Sequence, residues 1–127
     1  MKFARRVFFG AGIYGILALF PGFFTEAKTG RDFPPAITHP EYYYGFLSVG
    51  LAWQILFLIL SRDPVRFRPM MLPSMLEKFG FTAAAPILYF QGRLHPFFLI
   101  LAGVDGLLGL LFVMAYLKTA DSDLTQA

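Results

Sequence analysis

One carboxylate stands apart by its surroundings. Asp105 lies within FFLILAGVDGLLGLLFVMAYL, an apolar stretch from Phe97 to Leu117 that carries no other charge. Eight residues of helix put it roughly 12 Å from the start of that stretch. An ionised carboxylate at such a depth in hydrocarbon is costly unless it is paired, hydrated or protonated. By this count no lysine or arginine shares its level. Thr82 does, and Tyr14 and Gln54 fall at comparable or slightly greater depth on two further apolar stretches. A cluster of Tyr14, Gln54, Thr82 and Asp105 has three chemical uses. It can satisfy its own hydrogen bonds and pin helices together, grip the polar head of an apolar ligand, or pass a proton. The first is the ordinary use of polar groups in a membrane.

The other titratable residues carry less chemistry. His39 and His95 each precede a proline at an expected helix start, and with Glu41 they do not specify a metal site. No span holds a histidine pair for membrane haem, and there is no nucleotide glycine loop, serine nucleophile elbow or zinc-ligand series. The chain has no cysteine, which excludes disulfides and thiolate chemistry. Glu77 and Lys78 are neighbours in sequence, so their side chains leave a helix in different directions. The expected partner of Glu77 is Arg68 or another connector arginine. No catalytic residue, metal ligand or cofactor is assigned on these grounds.

The elements that position these residues read as membrane spans. Tyr42–Leu60, YYYGFLSVGLAWQILFLIL, holds nineteen residues without a formal charge, enough helix to cross a hydrocarbon core of roughly 30 Å. Val7 to Phe24 is likewise uncharged, with Lys2, Arg5 and Arg6 before it and Pro21–Gly22 to end or kink it. The third span, 71–90, is less clean. Its uncharged part, from Phe79, covers only roughly 18 Å, so Glu77 and Lys78 are expected near an interface where lysine can snorkel. Pro86 predicts a kink or an opened backbone bond. Thr38 and Glu41 have capping-box spacing around Pro40, and Tyr42, Tyr43 and Tyr44 suit an aromatic belt.

Composition agrees. The 127 residues are 57% hydrophobic and 15% charged, against about 25% charged in soluble domains. The expected architecture is all-α: an integral membrane four-helix up-down-up-down bundle, one unit over 1–127, with spans at 7–24, 42–60, 71–90 and 97–117. Lys2, Arg5, Arg6, Arg62, Arg66, Arg68, Lys78 and Lys118 fall on one side of this arrangement, and Lys28, Arg31 and Arg93 on the other. That imbalance puts both termini in the cytoplasm, ahead of a small acidic tail with Asp121 and Asp123. The net charge of +3 comes from arginines at the ends of apolar runs. They suit topology and lipid headgroups, Arg62, Arg66 and Arg68 above all, and not a nucleic-acid phosphate track.

Small residues mark candidate packing faces: Gly45, Ser48 and Ala52 on the second span, with Gly50 on another side, and Ala102, Gly103, Gly106 and Gly109 around Asp105. They serve helix packing within one chain, or self-association.

The four-span layout, together with the connector RDPVRFRPMM leading into PSMLEKFG, resembles the DoxX-like group of small bacterial membrane proteins. The resemblance implies a compact helical unit in the bacterial inner membrane. Some members of that group are linked with quinone or redox systems, which suits an apolar ligand, whereas the lack of cysteine opposes thiol redox work. The reading of the sequence is a non-enzymatic structural or accessory membrane protein, forming a small oligomer or packing on a larger membrane complex among membrane lipids. Two alternatives stand beside it: a binder of a quinone-like or other hydrophobic molecule at the Asp105 cluster, and a small transporter or proton-relay component.

Overall fold

In the computed structural model, residues 2–126 are described, with side chains described as far as Ala120. Met1 and Ala127, the ends of the expected single unit, and the side chains of the acidic tail at Asp121 and Asp123 lie outside that description. The described residues form helices and connecting turns, with no strand among them. The elements are α1 (Lys2–Leu19), a 3-10 turn at Phe20–Phe24, α2 (Glu26–Asp32), α3 (Pro40–Arg62), a 3-10 turn at Arg68–Met70, α4 (Met71–Phe90) and α5 (Phe97–Gln126).

Three helical stretches are long and apolar enough to cross a membrane: Lys2–Phe24, Pro40–Arg62 and Phe97–Ala120. α4, which the sequence reading counts as a span, is not among them; Glu77 and Lys78 interrupt its apolar run. Large apolar side chains face outward along the helices, including Leu17, Phe46, Leu76 and Phe90, the last 85% exposed. In water such a surface would drive association. In hydrocarbon it is the ordinary exterior, and helices are then held by close packing and interhelical hydrogen bonds.

α1 packs along α3 and also against α5, which in turn packs along α4. α3 and α4, consecutive long helices, scarcely meet. One flank of the assembly is therefore open. The best-packed region lies where α1 begins and α3 and α5 approach their ends. There Phe8 stacks on Phe112 with ring centroids 4.2 Å apart, and Phe57 closes on Phe112 edge-first at 5.1 Å. Ala4, Ala11, Leu60, Met71 and Ala115 fill the spaces between these rings. Such aromatic pairs add about 0.5–1.5 kcal/mol each beyond the area they bury. Arg68 locks the same end. Its guanidinium lies 3.6 Å from the Tyr116 ring centroid, and its Nε donates to Tyr116 O and Thr119 Oγ1 at 3.0 and 3.1 Å. Arg68, read from sequence as a headgroup residue, thus ties the connector to α5, while Arg62 and Arg66 remain exposed.

The opposite end is held by Tyr43, whose hydroxyl donates to Gly22 O at 2.7 Å. That bond anchors the start of α3 to the turn after α1, so Tyr43 is a tie between elements and not only a belt residue. The expected Thr38–Glu41 capping box does not form. Pro40 occupies the first helical turn, which makes His39 the residue before the helix, and the Glu41 carboxylate sits 3.1 Å from His39 Nδ1 instead. The connection between α1 and α3 contains the short helix α2, followed by a cis Pro34–Pro35 bond. α4 runs through Pro86 without ending.

Candidate functional site

The site begins with a lysine that the sequence reading placed at an interface. Lys78 is only 3% exposed. Its Nζ lies 3.6 Å from Asp105 Oδ1 and 3.6 Å from Glu77 Oε2, and 5.5 Å from the centre of the Phe57 ring. Two expectations are corrected here. Asp105 does have a basic partner, and Glu77 is paired with Lys78 despite their adjacency. The cause is the length of the lysine. Adjacent residues leave a helix about 100° apart, but a flexible four-carbon stem can carry the ammonium back between both carboxylates. There the charge meets the ring of Phe57 and the acid on α5.

Thr82, one turn beyond Lys78 on α4, holds this arrangement to α5. Its Oγ1 lies 3.0 Å from Ala102 O and 3.1 Å from Lys78 O, so the hydroxyl bridges the two helices at the level of the acid. Gly106 leaves room for it: a Cβ there would meet Thr82 Cγ2 at 3.1 Å. Asp105 and Thr82 therefore lie at one level, as their counted depths imply. Tyr14 is half-buried on α1.

Gln54 is 1% exposed and turns a different way. Its Nε2 donates to Gly50 O at 2.8 Å on its own helix, and its side chain is pressed onto α1 at Gly15, where a Cβ would fall 1.8 Å from Gln54 Oε1. That oxygen is buried without a hydrogen-bond donor among the described residues. Gln54 hydrogen-bonds to none of the other three members of the expected cluster. The charged core is instead Glu77, Lys78 and Asp105, two carboxylates around one ammonium.

This core reaches the open flank. A groove of about 540 Å³ runs along the α3 face made by Tyr42, Gly45, Phe46, Val49, Gly50 and Trp53, from Glu41 at one extremity to Glu77 on α4. Tyr42 to Trp53 spans roughly 16 Å of helix. Glu77 Oε2 itself is closed off from solvent and, among the described residues, has the ion-pair approach of Lys78 but no hydrogen bond. A second, smaller depression of about 260 Å³ lies between Arg5, Arg6, Phe9 and Ser61.

No family model, curated protein or solved structure matches the chain.

The small residues divide between these regions. Ala102, Gly106 and Gly109 face α4, and a Cβ at Gly109 would strike the Phe79 ring at 2.6 Å, whereas Gly103 is open. On α3 it is Gly50 that packs, under Leu19 of α1, while Gly45, Ser48 and Ala52 are exposed. Packing inside the chain therefore uses the face of α3 that was set aside, because α1 and not α4 is the neighbour of α3. His39 and His95 remain apart from the charged core, and among the described residues no three histidine or acidic side chains gather as a metal site.

What sequence reasoning missed was Lys78. The signal was present: Lys78 and Thr82 are four residues apart and share a helix face. Thr82 had already been placed at the level of Asp105. A lysine stem spans the one remaining turn, about 5.4 Å.

Proposed function

We propose that the protein binds an amphiphilic small molecule within the membrane, with its apolar body along α3 and its polar head at Glu77, the member of the Glu77–Lys78–Asp105 core that lines the groove. The observation that carries this reading is the groove on the open α3–α4 flank, which leads from an apolar wall to a buried charged group. Its volume of about 540 Å³ falls within the roughly 300–1,000 Å³ common for small-molecule sites. Quinone-like molecules and single-chain lipids have the required form. The DoxX-like resemblance points the same way.

In this reading α4 is a fourth crossing in an up-down-up-down arrangement, in a bacterial inner membrane with both termini cytoplasmic. The pairing of its charges supports that, since neutralised charges cost less in hydrocarbon than isolated ones. The chain has no native cysteine, so single cysteines placed at Arg66 and Gly92 give a clean topology map. The expected outcome is labelling of position 66 from the cytoplasm and position 92 from the other side.

Ligand binding itself is tested by native mass spectrometry after gentle detergent extraction from the source membrane, with small-molecule identification on the same sample. One apolar molecule retained per chain supports the reading. A second reading, an accessory subunit or oligomer, draws on the exposed Gly45, Ser48 and Ala52 face. It predicts a reproducible protein complex without any stoichiometric organic ligand. Proton relay draws on the charged core alone, for which no chain of hydrogen-bonded groups leads onward among the described residues.

A further inference from the structure

We infer that the depression between the start of α1 and the end of α3 holds the headgroup of one anionic phospholipid, its phosphate on Arg5 and Arg6 and an acyl chain along Phe9. The depression is separate from the groove: Ser61, which borders it, lies eight residues past Trp53, roughly 12 Å along α3. Arg5, Arg6, Phe9 and Ser61 line a hollow of about 260 Å³. Both arginines are exposed, and neither has an ion pair or hydrogen bond among the described residues. Neighbouring helical residues diverge by about 100°, so two guanidiniums bordering one hollow approach it from two sides. The guanidinium fork matches the oxygens of a phosphate. Ser61 is nearly buried and donates its hydroxyl to Leu58 O at 2.6 Å, so it forms the floor and leaves the phosphate to the arginines. Lys2 and Arg62, both exposed, add positive charge at this end. Asp63, the nearest acid along the chain, accepts from Arg66 N at 3.3 Å.

Depth selects a lipid over a free phosphate. The uncharged run of α1 begins at Val7, directly after the two arginines. Phe9 is 57% exposed and lies about 4.5 Å further along the helix than Arg6. A phosphate held by the arginines therefore has its acyl chains entering hydrocarbon beside an exposed aromatic ring. Charge selects among lipids, since the choline of phosphatidylcholine offsets its phosphate and an anionic head keeps its full attraction. The full-length protein, delipidated in detergent micelles, is titrated with phosphatidylglycerol, with phosphatidylcholine of the same chains, and with glycerol phosphate. Native mass spectrometry counts the bound molecules. Micelles remove any dependence on orientation in the source membrane, and an amphiphile in the groove is counted apart by its mass.

The expected result is one phosphatidylglycerol per chain at about tenfold lower concentration than phosphatidylcholine, the ratio of one charge-assisted hydrogen bond, with no glycerol phosphate retained. Arg5→Gln with Arg6→Gln should abolish that preference. Arg62→Gln with Arg66→Gln removes the same charge from exposed arginines outside the hollow and should keep it within about twofold. Either single substitution at Arg5 or Arg6, milder to the fold, should already shrink it. Equal binding of the two lipids, or equal losses from the two arginine pairs, would overturn the inference and leave only a general positive surface. Glycerol phosphate retained as well as the lipid would overturn it in favour of a free phosphate. None of these outcomes bears on the groove, whose ligand is read from a different mass.

Discussion

The two flanks of this molecule use similar residues for opposite ends. At the end locked by Arg68, aromatic rings interleave with alanines, and the polar groups are satisfied: Arg68 Nε by Tyr116 O and Thr119 Oγ1, Ser74 Oγ by Met70 O, and Thr119 Oγ1 by Ala115 O. Along the α3–α4 flank, aromatic side chains line a groove and meet little. Of the two buried oxygens without a hydrogen bond among the described residues, Glu77 Oε2 belongs to a groove-lining residue, whereas Gln54 Oε1 lies against α1 at Gly15. Unmet hydrogen-bonding capacity is costly in a low-dielectric interior. At Glu77 that capacity stands beside the open flank and outside the aromatic core. The comparison can be broken by substitutions that treat the two flanks alike.

The largest effect should come from removing the charge that joins them. Lys78→Met leaves Glu77 and Asp105 without their shared counter-charge, and breaking a buried pair by deleting one partner costs about 3–5 kcal/mol. Equilibrium unfolding in mixed micelles should register that loss. Adding Asp105→Asn to Lys78→Met should recover more than half of it, because the two residues act as one unit. An additive double mutant would mean that the charges are solvated separately and the cluster is not a unit.

Next in size is a direct test of the contrast. Phe112→Ala empties the centre of the aromatic core and should cost about 3 kcal/mol. Phe46→Ala, on the groove, should cost less than about 0.5 kcal/mol in the ligand-free protein. Phe46→Ala should nevertheless lower the fraction of chains that retain an apolar molecule in native mass spectrometry. Comparable stability losses at the two positions would show that the groove closes around its aromatics and is no standing site.

These two predictions also mark what the sequence could convey. The apolar runs revealed the existence of three long apolar helices, though α1 begins five residues before Val7 and α5 continues nine past Leu117, because span length and charge exclusion are properties of consecutive residues. They placed Asp105 and Thr82 at one level, because helical rise converts sequence distance directly into depth. Neighbour choice was not legible. Nothing in the order of residues says that α3 packs on α1 and scarcely on α4, and that arrangement alone decides that Gly50 is packed and Gly45 open. Lys78 was missed for a related reason: snorkelling toward water and curling inward differ only in what waits at the end of the stem. Arg68 likewise could be read as a headgroup ligand until Tyr116 and Thr119 were found beside it.

Glycine substitutions turn that lesson into a smaller measurement. At Gly15 an added Cβ would sit 1.8 Å from Gln54 Oε1, so Gly15→Ala must displace a buried side chain and should cost about 1–3 kcal/mol. Gly45 has nothing within 4 Å of its added Cβ. There alanine removes glycine's entropic penalty in a helix and should stabilise the isolated chain by about 0.5–1 kcal/mol. Loss of stability at Gly45→Ala would point to a partner helix seated on that face, in favour of the accessory reading.

The smallest expected effect concerns the bridge that holds the charged core to α5. Thr82→Val keeps the shape of the side chain and removes the hydroxyl that reaches Ala102 O and Lys78 O. Interhelical hydrogen bonds in membrane proteins average about 0.6 kcal/mol, so unfolding should shift by roughly that amount and no more. The informative readout is ligand retention in native mass spectrometry. If Thr82 fixes the register of α4 on α5, Thr82→Val lets Lys78 move relative to Asp105, and fewer chains should retain the apolar molecule even though stability hardly changes. Unchanged retention would show that the two carboxylates hold Lys78 without help, leaving Thr82 a packing residue whose hydroxyl serves only the helix pair.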